Sequence, residues 1–150
     1  FRIFAKSSDM GRLMAIDFGR KRCGIAVTDP LRIIAGGLTT VSTSALPEYV
    51  AAYCARESVD AIIVGEPRDM RGNPSESQRF IGPALARLRK AVPDMPVEFY
   101  DERFTSVLAH RAMLDGGLPK MARRDKALVD EISATIILTD YLESKKYNQI

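Results

Sequence analysis

The sequence has few of the residues that build metal clusters, covalent cross-links or membrane spans. Cys23 and Cys54 are its only cysteines, too few for a disulfide scaffold or a zinc cluster, and free thiols are typical of a reducing compartment. His110 is the only histidine, which excludes histidine-rich metal sites and disfavours a Ser-His-Asp triad. No apolar run reaches the roughly 18 residues that cross a bilayer. These absences predict a soluble, cytoplasmic protein with no membrane partner.

The composition is that of an ordinary globular domain. Of the 150 residues, 46% are hydrophobic and 27% are charged, and a chain of this length buries roughly 70% of its unfolded surface in a single domain. The 22 Lys and Arg against 19 Asp and Glu give a net charge of +3, which permits a phosphate-rich partner without requiring one. We predict an N-terminal extension at 1–9, one domain over 10–144 and a polar tail at 145–150.

Short apolar runs alternate with amphipathic segments along the chain. Five apolar runs predict strands, at 13–18, 24–27, 33–41, 61–64 and 97–100. Helical spacing and helix start signals predict four helices, at 46–57, 75–91, 105–114 and 125–143. The order βββαβαβαα predicts an α/β fold: a mixed five-stranded sheet, with a three-strand antiparallel meander, two parallel strands and helices on both faces.

Two carboxylates lie near the ends of predicted strands. Asp17 follows the apolar residues 13–16 near the end of the first strand, and Glu102 comes two residues after the strand at 97–100. A charge at the end of a buried strand is costly unless it is paired or binds a cation. Each acid also fits a structural role, since Asp17 could end its strand in a turn and Glu102 could pair with Arg103 on the surface.

A third carboxylate, Asp130, heads the apolar face of the last predicted helix. That face continues with Ala134, Ile137 and Tyr141. We therefore expect Asp130 to face the protein, where it could also cap a backbone group, and Glu131 to face outward. Acids that converge from two strand ends and a helix are oxygen ligands of the kind that Mg²⁺ or Mn²⁺ prefers. Such ions activate water and stabilise the leaving oxygen of a phosphodiester.

Four motifs follow one another along almost the whole chain. They are DFG with GIAVTD (17–19 and 24–29), VGEP (64–67), DERFTS (101–106) and KALVDEISATIIL (126–138). In this order they resemble the YqgF family, the RNase H-like Holliday junction resolvases. The resemblance implies an RNase H-like fold with Asp17, Glu102 and Asp130 as catalytic ligands of Mg²⁺ or Mn²⁺. It also implies a nuclease that processes the 5′ end of pre-16S rRNA or cleaves branched DNA.

Two positions depart from the family pattern. Glu66 stands in the V-G-x-P motif where the family has an apolar residue, and we expect its side chain to face solvent. Ser133 stands where many RNase H-like resolvases have a fourth acid, one helical turn after the last. Asp101, Glu131 or a substrate phosphate could then complete a second metal site.

Basic residues flank the three acids and predict contacts with nucleic acid. One group follows Asp17 in a turn and consists of Arg20, Lys21 and Arg22; the other precedes Asp130 and consists of Lys120, Arg123, Arg124 and Lys126. Arg103 could steady Glu102 or a substrate phosphate. Each phosphate contact steepens the salt dependence of binding by nearly one unit. Either group could instead be a solvated surface.

Three classes of function remain open on the sequence. The first is a metal-dependent endonuclease that acts on structured RNA or on a DNA junction. Paired cuts at a junction need a C2 dimer; we predict a monomer or weak homodimer, which favours RNA processing. The second is a non-catalytic nucleic-acid binder, such as a ribosome-assembly factor. The third is an ATP-binding lobe, because the D-x-G-x-x-x-x-G hairpin also resembles actin- and hexokinase-like ATPases, although these need two such lobes.

Overall fold

Five strands and three helices make up the part of the chain that the structure describes. The structure is a computed structural model, and it describes residues 11–19, 21–66, 78–101 and 126–148. The strands are β1 (Arg12–Phe18), β2 (Arg22–Thr28), β3 (Ala35–Ser42), β4 (Val59–Glu66) and β5 (Val97–Asp101). The helices are α1 (Leu46–Arg56), α2 (Gln78–Ala91) and α3 (Lys126–Asn148). None of these helices is long and apolar enough to span a membrane.

The strands form one mixed sheet in the order β3-β2-β1-β4-β5. β1 pairs antiparallel with β2, which pairs antiparallel with β3. β4 lies parallel to β1, and β5 lies parallel to β4. The predicted meander with two added parallel strands is therefore confirmed. The predicted helix at 105–114 lies outside the described residues.

Each face of the sheet packs against helices. Along β1, Met14, Ile16 and Phe18 belong to a core shared with α1 and α2, whereas Leu13 and Ala15 belong to a second core shared with α3. This follows from the strand period of two, which sends successive side chains to opposite faces. Asp17 continues the series of Leu13 and Ala15, so it lies on the α3 face.

The third strand begins at Ala35, two residues later than predicted. The Asp29 Oδ1 atom accepts hydrogen bonds from the backbone N–H groups of Ile33 and Ile34, both at 2.8 Å. These bonds, with that of Ile34 the largest cause, hold the pKa of the exposed Asp29 carboxyl below its ordinary value. Ile33 and Ile34 therefore belong to a turn that is closed by Asp29, although their apolar side chains suit a strand.

The last helix runs to Asn148, beyond the predicted end at 143. No glycine or proline follows Glu143 to stop it. Near its end, the Ser144 hydroxyl donates to the Tyr141 carbonyl oxygen at 2.8 Å, and the Lys145 ammonium lies 5.2 Å from the centre of the Tyr141 ring. A cation near a helix C-terminus also interacts favourably with the helix dipole.

The environment of the Tyr141 hydroxyl leads us to expect a loss of folding stability at high pH. Burial first, and then its 2.9 Å hydrogen bond to the Glu98 carboxylate, raise the pKa of Tyr141 from 10.0 to about 12. Because the folded protein holds this proton more tightly than the unfolded chain, stability falls as the pH rises from about 10 towards 12. We expect the difference in unfolding free energy between wild type and Tyr141→Phe to stay constant up to about pH 9 and then to shrink. Urea unfolding at each pH measures it; a constant difference up to pH 12 contradicts the prediction.

Candidate active site

The carboxyl ends of three strands meet at one edge of the sheet. β1 and β4 are in parallel register through Ile16 and Val64, and β4 and β5 end together at Glu66 and Asp101. Asp17 stands at this edge, one residue after Ile16. The chain leaves β5 at the same edge, directly before Glu102, whose own position lies outside the described residues.

Gly24 brings α3 into direct contact with the hairpin that carries Asp17. Gly24 is the cross-strand partner of Asp17. A Cβ atom built on Gly24 would lie only 2.0 Å from the backbone carbonyl oxygen of Asp130. Only a residue without a side chain allows this approach. The close crossing places Asp130, at the beginning of α3, over the same face of the sheet as Asp17.

Arg22 forms an ion pair with Asp130. Its Nε atom lies 3.2 Å from Asp130 Oδ2, and the two side chains are 39% and 28% exposed. Arg22 begins β2 and lies two residues before Gly24, so it is on the α3 face of the sheet. A partly exposed pair of this kind contributes little to stability, about 0–1 kcal/mol. It gives the Asp130 carboxylate a charged partner at the beginning of β2.

The buried thiol of Cys23 lies within the electrostatic reach of both acids. Burial raises the pKa of Cys23 above its ordinary value, and the negative charges of Asp17 and Asp130 raise it further. Hydrogen bonds with the Thr43 hydroxyl and the Gly19 backbone lower it in part. The raised pKa keeps the Cys23 thiol protonated near neutral pH. Both cysteines are free, as predicted.

Glu131 does not face outward, contrary to the prediction. It is half-buried, and its carboxylate lies over β3, where a Cβ atom on Gly37 would be 2.6 Å from Glu131 Oε1. The prediction was wrong because α3 crosses both β2 and β3, so two adjacent positions at its beginning face the sheet. The prediction that Asp130 faces the protein is confirmed, since Ala134, Ile137 and Tyr141 on the same face of α3 are buried.

The described carboxylates suit a hard divalent cation. Asp17 and Asp130 come from two elements, lie on one face of the sheet, and offer only oxygen donors. Among the residues described, no three His, Cys, Asp or Glu side chains are grouped so that they could hold a metal ion. The third ligand implied by the family resemblance, Glu102, falls outside them. Ser133 is half-buried on α3 and adds no acid.

The structure describes only some of the other residues predicted for the site. Lys21 is exposed in the β1–β2 turn. Lys126 begins α3, and Glu66 and Asp101 end their strands, but the side chains of these three residues lie outside the description. Six predicted residues lie wholly outside it: Arg20, Glu102, Arg103, Lys120, Arg123 and Arg124.

The sheet order and the acids at its edge define an RNase H-like α/β protein. Two solved structures share this fold. The structure described as "T. thermophilus RuvC in complex with Holliday junction substrate" has a TM-score of 0.55 and 20% identity over 91% of this chain and 96% of that chain. A second Thermus thermophilus RuvC structure has a TM-score of 0.53 and 20% identity over 90% and 96% of the two chains. At this identity the likeness is one of fold alone.

Sequence comparison gives the family. The model of the family described as "RuvX: Holliday junction resolvase" matches residues 11–144. A protein of Phocaeicola vulgatus named "Putative pre-16S rRNA nuclease" is 62% identical over 138 residues, 92% of this chain and 99% of its own. Proteins of the same name from Bacteroides fragilis and Flavobacterium johnsoniae are 58% and 51% identical, over 91% and 92% of this chain and 99% and 100% of theirs. The chain belongs to the RuvX (YqgF) family, as its motifs predict.

Proposed function

We propose that this protein is a metal-dependent endonuclease that hydrolyses phosphodiester bonds at the 5′ end of pre-16S rRNA. The observation that carries the proposal is the placement of Asp17 and Asp130 on one face of an RNase H-like sheet. Relatives that align with this chain over 99% of their own length bear the name "Putative pre-16S rRNA nuclease". Family membership implies dependence on a divalent metal ion in general. Mg²⁺ or Mn²⁺ is our specific proposal, because these ions prefer carboxylate oxygens.

Asp17, Asp130 and Glu102 are the residues that would hold the metal ion. A bound divalent ion supplies an activated water and stabilises charge at the reacting phosphate. Arg22 holds the Asp130 carboxylate through the ion pair at 3.2 Å. Hydrolysis leaves a 5′-phosphate and a 3′-hydroxyl.

Basic residues around the acids would bind the phosphates on either side of the cut. Lys21, exposed in the turn that follows Asp17, is the described residue best placed for this. Arg20, Arg22, Arg103, Lys120, Arg123, Arg124 and Lys126 are the other candidates. The free thiols of Cys23 and Cys54 suit action in the reducing cytoplasm.

A DNA junction is the second candidate substrate. The description of the family as a Holliday junction resolvase favours it. A junction requires two symmetric cuts and therefore a C2 dimer, whereas trimming of an RNA precursor requires one site. The oligomeric state of the active protein therefore separates the two candidates.

Parallel cleavage assays test the proposed function. A labelled pre-16S rRNA 5′ leader and a synthetic four-way DNA junction are incubated with the protein and Mg²⁺ or Mn²⁺. We expect metal-dependent cleavage of the leader that is strongly reduced with Asp17→Asn and preserved with Asp94→Asn, a change of an exposed acid in the turn between α2 and β5. Cleavage of the junction alone would favour the second candidate. Salt-sensitive binding of both substrates without cleavage would make the protein a binding factor.

A further inference from the structure

Thr43 is a buried polar residue next to the turn that carries the candidate site. It directly follows β3 and is 9% exposed. Burial of a hydroxyl is costly unless hydrogen bonds replace those with water. The partners of Thr43 all belong to the segment between β1 and the beginning of β2.

Three contacts tie Thr43 to that segment. The Thr43 hydroxyl donates to the carbonyl oxygen of Gly19 at 2.9 Å, and the Thr43 backbone N–H donates to the carbonyl oxygen of Lys21, also at 2.9 Å. The Cys23 thiol lies 3.5 Å from the Thr43 hydroxyl oxygen. Thr43 thus contacts every second residue from Gly19 to Cys23.

The turn itself is tight. A Cβ atom on Gly19 would lie 2.4 Å from the carbonyl oxygen of Arg22, so the two ends of the turn are in contact. Asp17 lies two residues before Gly19, and Arg22, which pairs with Asp130, ends the turn. A shift of this turn therefore moves both an acid of the candidate site and the partner of another.

We propose that Thr43 is a positioning residue for cleavage: its hydroxyl holds the β1–β2 turn and thereby sets the positions of Asp17 and Arg22. The inference rests on the proposed nuclease function, because it concerns the geometry of that site. The hydrogen bonds of Thr43 are with Gly19 and Lys21 in the turn, and it acts on the acids through them. A displacement of a reacting group by roughly 1 Å can lower the reaction rate about a hundredfold.

Thr28 provides a matched control at the other end of the same hairpin. Its side chain is also buried, at 1% exposed. Its hydroxyl accepts a hydrogen bond from the Leu13 N–H at 3.0 Å and donates to the Asp29 carbonyl oxygen at 2.8 Å. Like Thr43, it joins two neighbouring segments of the sheet, but it lies at the end of β2 remote from Asp17.

The kinetic test compares Thr43→Val, Thr43→Ser and Thr28→Val on the substrate that wild type cleaves, at a temperature where all are folded. Valine keeps the shape of threonine and removes the hydroxyl, whereas serine keeps the hydroxyl. We expect Thr43→Val to lower kcat about tenfold with KM within about twofold, and the other two variants to keep a kcat close to that of wild type. An unchanged kcat in Thr43→Val, or an equal loss in Thr28→Val, would overturn the proposal.

A second test does not need cleavage. In a Cys54→Ala background, a thiol reagent reaches Cys23, which is 0% exposed, only when the structure around it opens. We expect Cys23 in Thr43→Val to react about tenfold faster than in Thr43→Ser, the equivalent of one lost hydrogen bond of about 1.4 kcal/mol, with no such increase in Thr28→Val. Equal rates in all three variants would show that Thr43 does not hold the turn. If wild type cleaves neither substrate, the proposed function fails, and this labelling alone decides the role of Thr43 in the turn.

Discussion

Replacement of Asp17 or Asp130 by asparagine is expected to lower metal-dependent cleavage by about a hundredfold or more. A metal ion held at these carboxylates contributes several kcal/mol to the stabilisation of the transition state, and about 1.4 kcal/mol corresponds to a factor of ten in rate. Asparagine keeps the size of the side chain but removes its charge. Single-turnover rates at saturating Mg²⁺ or Mn²⁺ measure the effect.

The double variant tests whether the two carboxylates hold the same metal ion. If both carboxylates hold the same ion, Asp17→Asn combined with Asp130→Asn should be no more than slightly slower than either single variant, because residues that act as a unit are not additive. Losses that multiply would mean that the two acids act separately. The partly exposed pair between Arg22 and Asp130 contributes about 0–1 kcal/mol, so Asp130→Asn should remain folded by circular dichroism.

Replacement of Gly24 by alanine is expected to destabilise the protein by about 1–3 kcal/mol. The new Cβ atom would lie 2.0 Å from the backbone carbonyl oxygen of Asp130, and backbone yields less readily than a flexible side chain. α3 is held in place by Ala134, Ile137 and Leu138, which are buried against the sheet. The strain must therefore move α3 or bend β2.

The same substitution should reduce cleavage, since any movement of α3 displaces Asp130 from Asp17. Gly36→Ala is the matched control: Gly36 is on β3, and a Cβ atom there meets nothing within 4 Å. We expect Gly36→Ala to change stability by less than about 0.5 kcal/mol and to leave cleavage intact. Urea unfolding of both variants measures the difference, and equal stabilities would contradict the close packing of α3 on Gly24.

The sequence predicts the sheet and the faces on which Asp17 and Asp130 lie, because both depend on local pattern. The alternation in β1 places Asp17 on one face, and the helical spacing of Ala134 and Ile137 places Asp130 over the protein. Both periodicities are visible in the sequence itself. The family membership was likewise predictable, because its motifs lie in order along the chain.

Other features depend on contacts between distant segments, which no local pattern contains. The inward position of Glu131 follows from the path of α3 over β3, and the late start of β3 follows from the hydrogen bonds of Asp29. No local pattern singles out Thr43 either, because its hydrogen-bond partners Gly19 and Lys21 are more than 20 residues away in the sequence. Gly24 belongs to a recognised motif, but its steric role becomes visible only when Asp130 lies against it.

Binding of Mn²⁺ shows directly whether Asp17 and Asp130 hold a divalent ion, because it does not depend on the choice of substrate. Titrations followed by electron paramagnetic resonance would compare wild type with Asp17→Asn, Asp130→Asn and the control Asp94→Asn. We expect saturable binding in wild type and Asp94→Asn, and binding weakened at least about tenfold in each of the other two variants, because each has lost a charged ligand. Undiminished binding in both Asp17→Asn and Asp130→Asn would contradict this expectation.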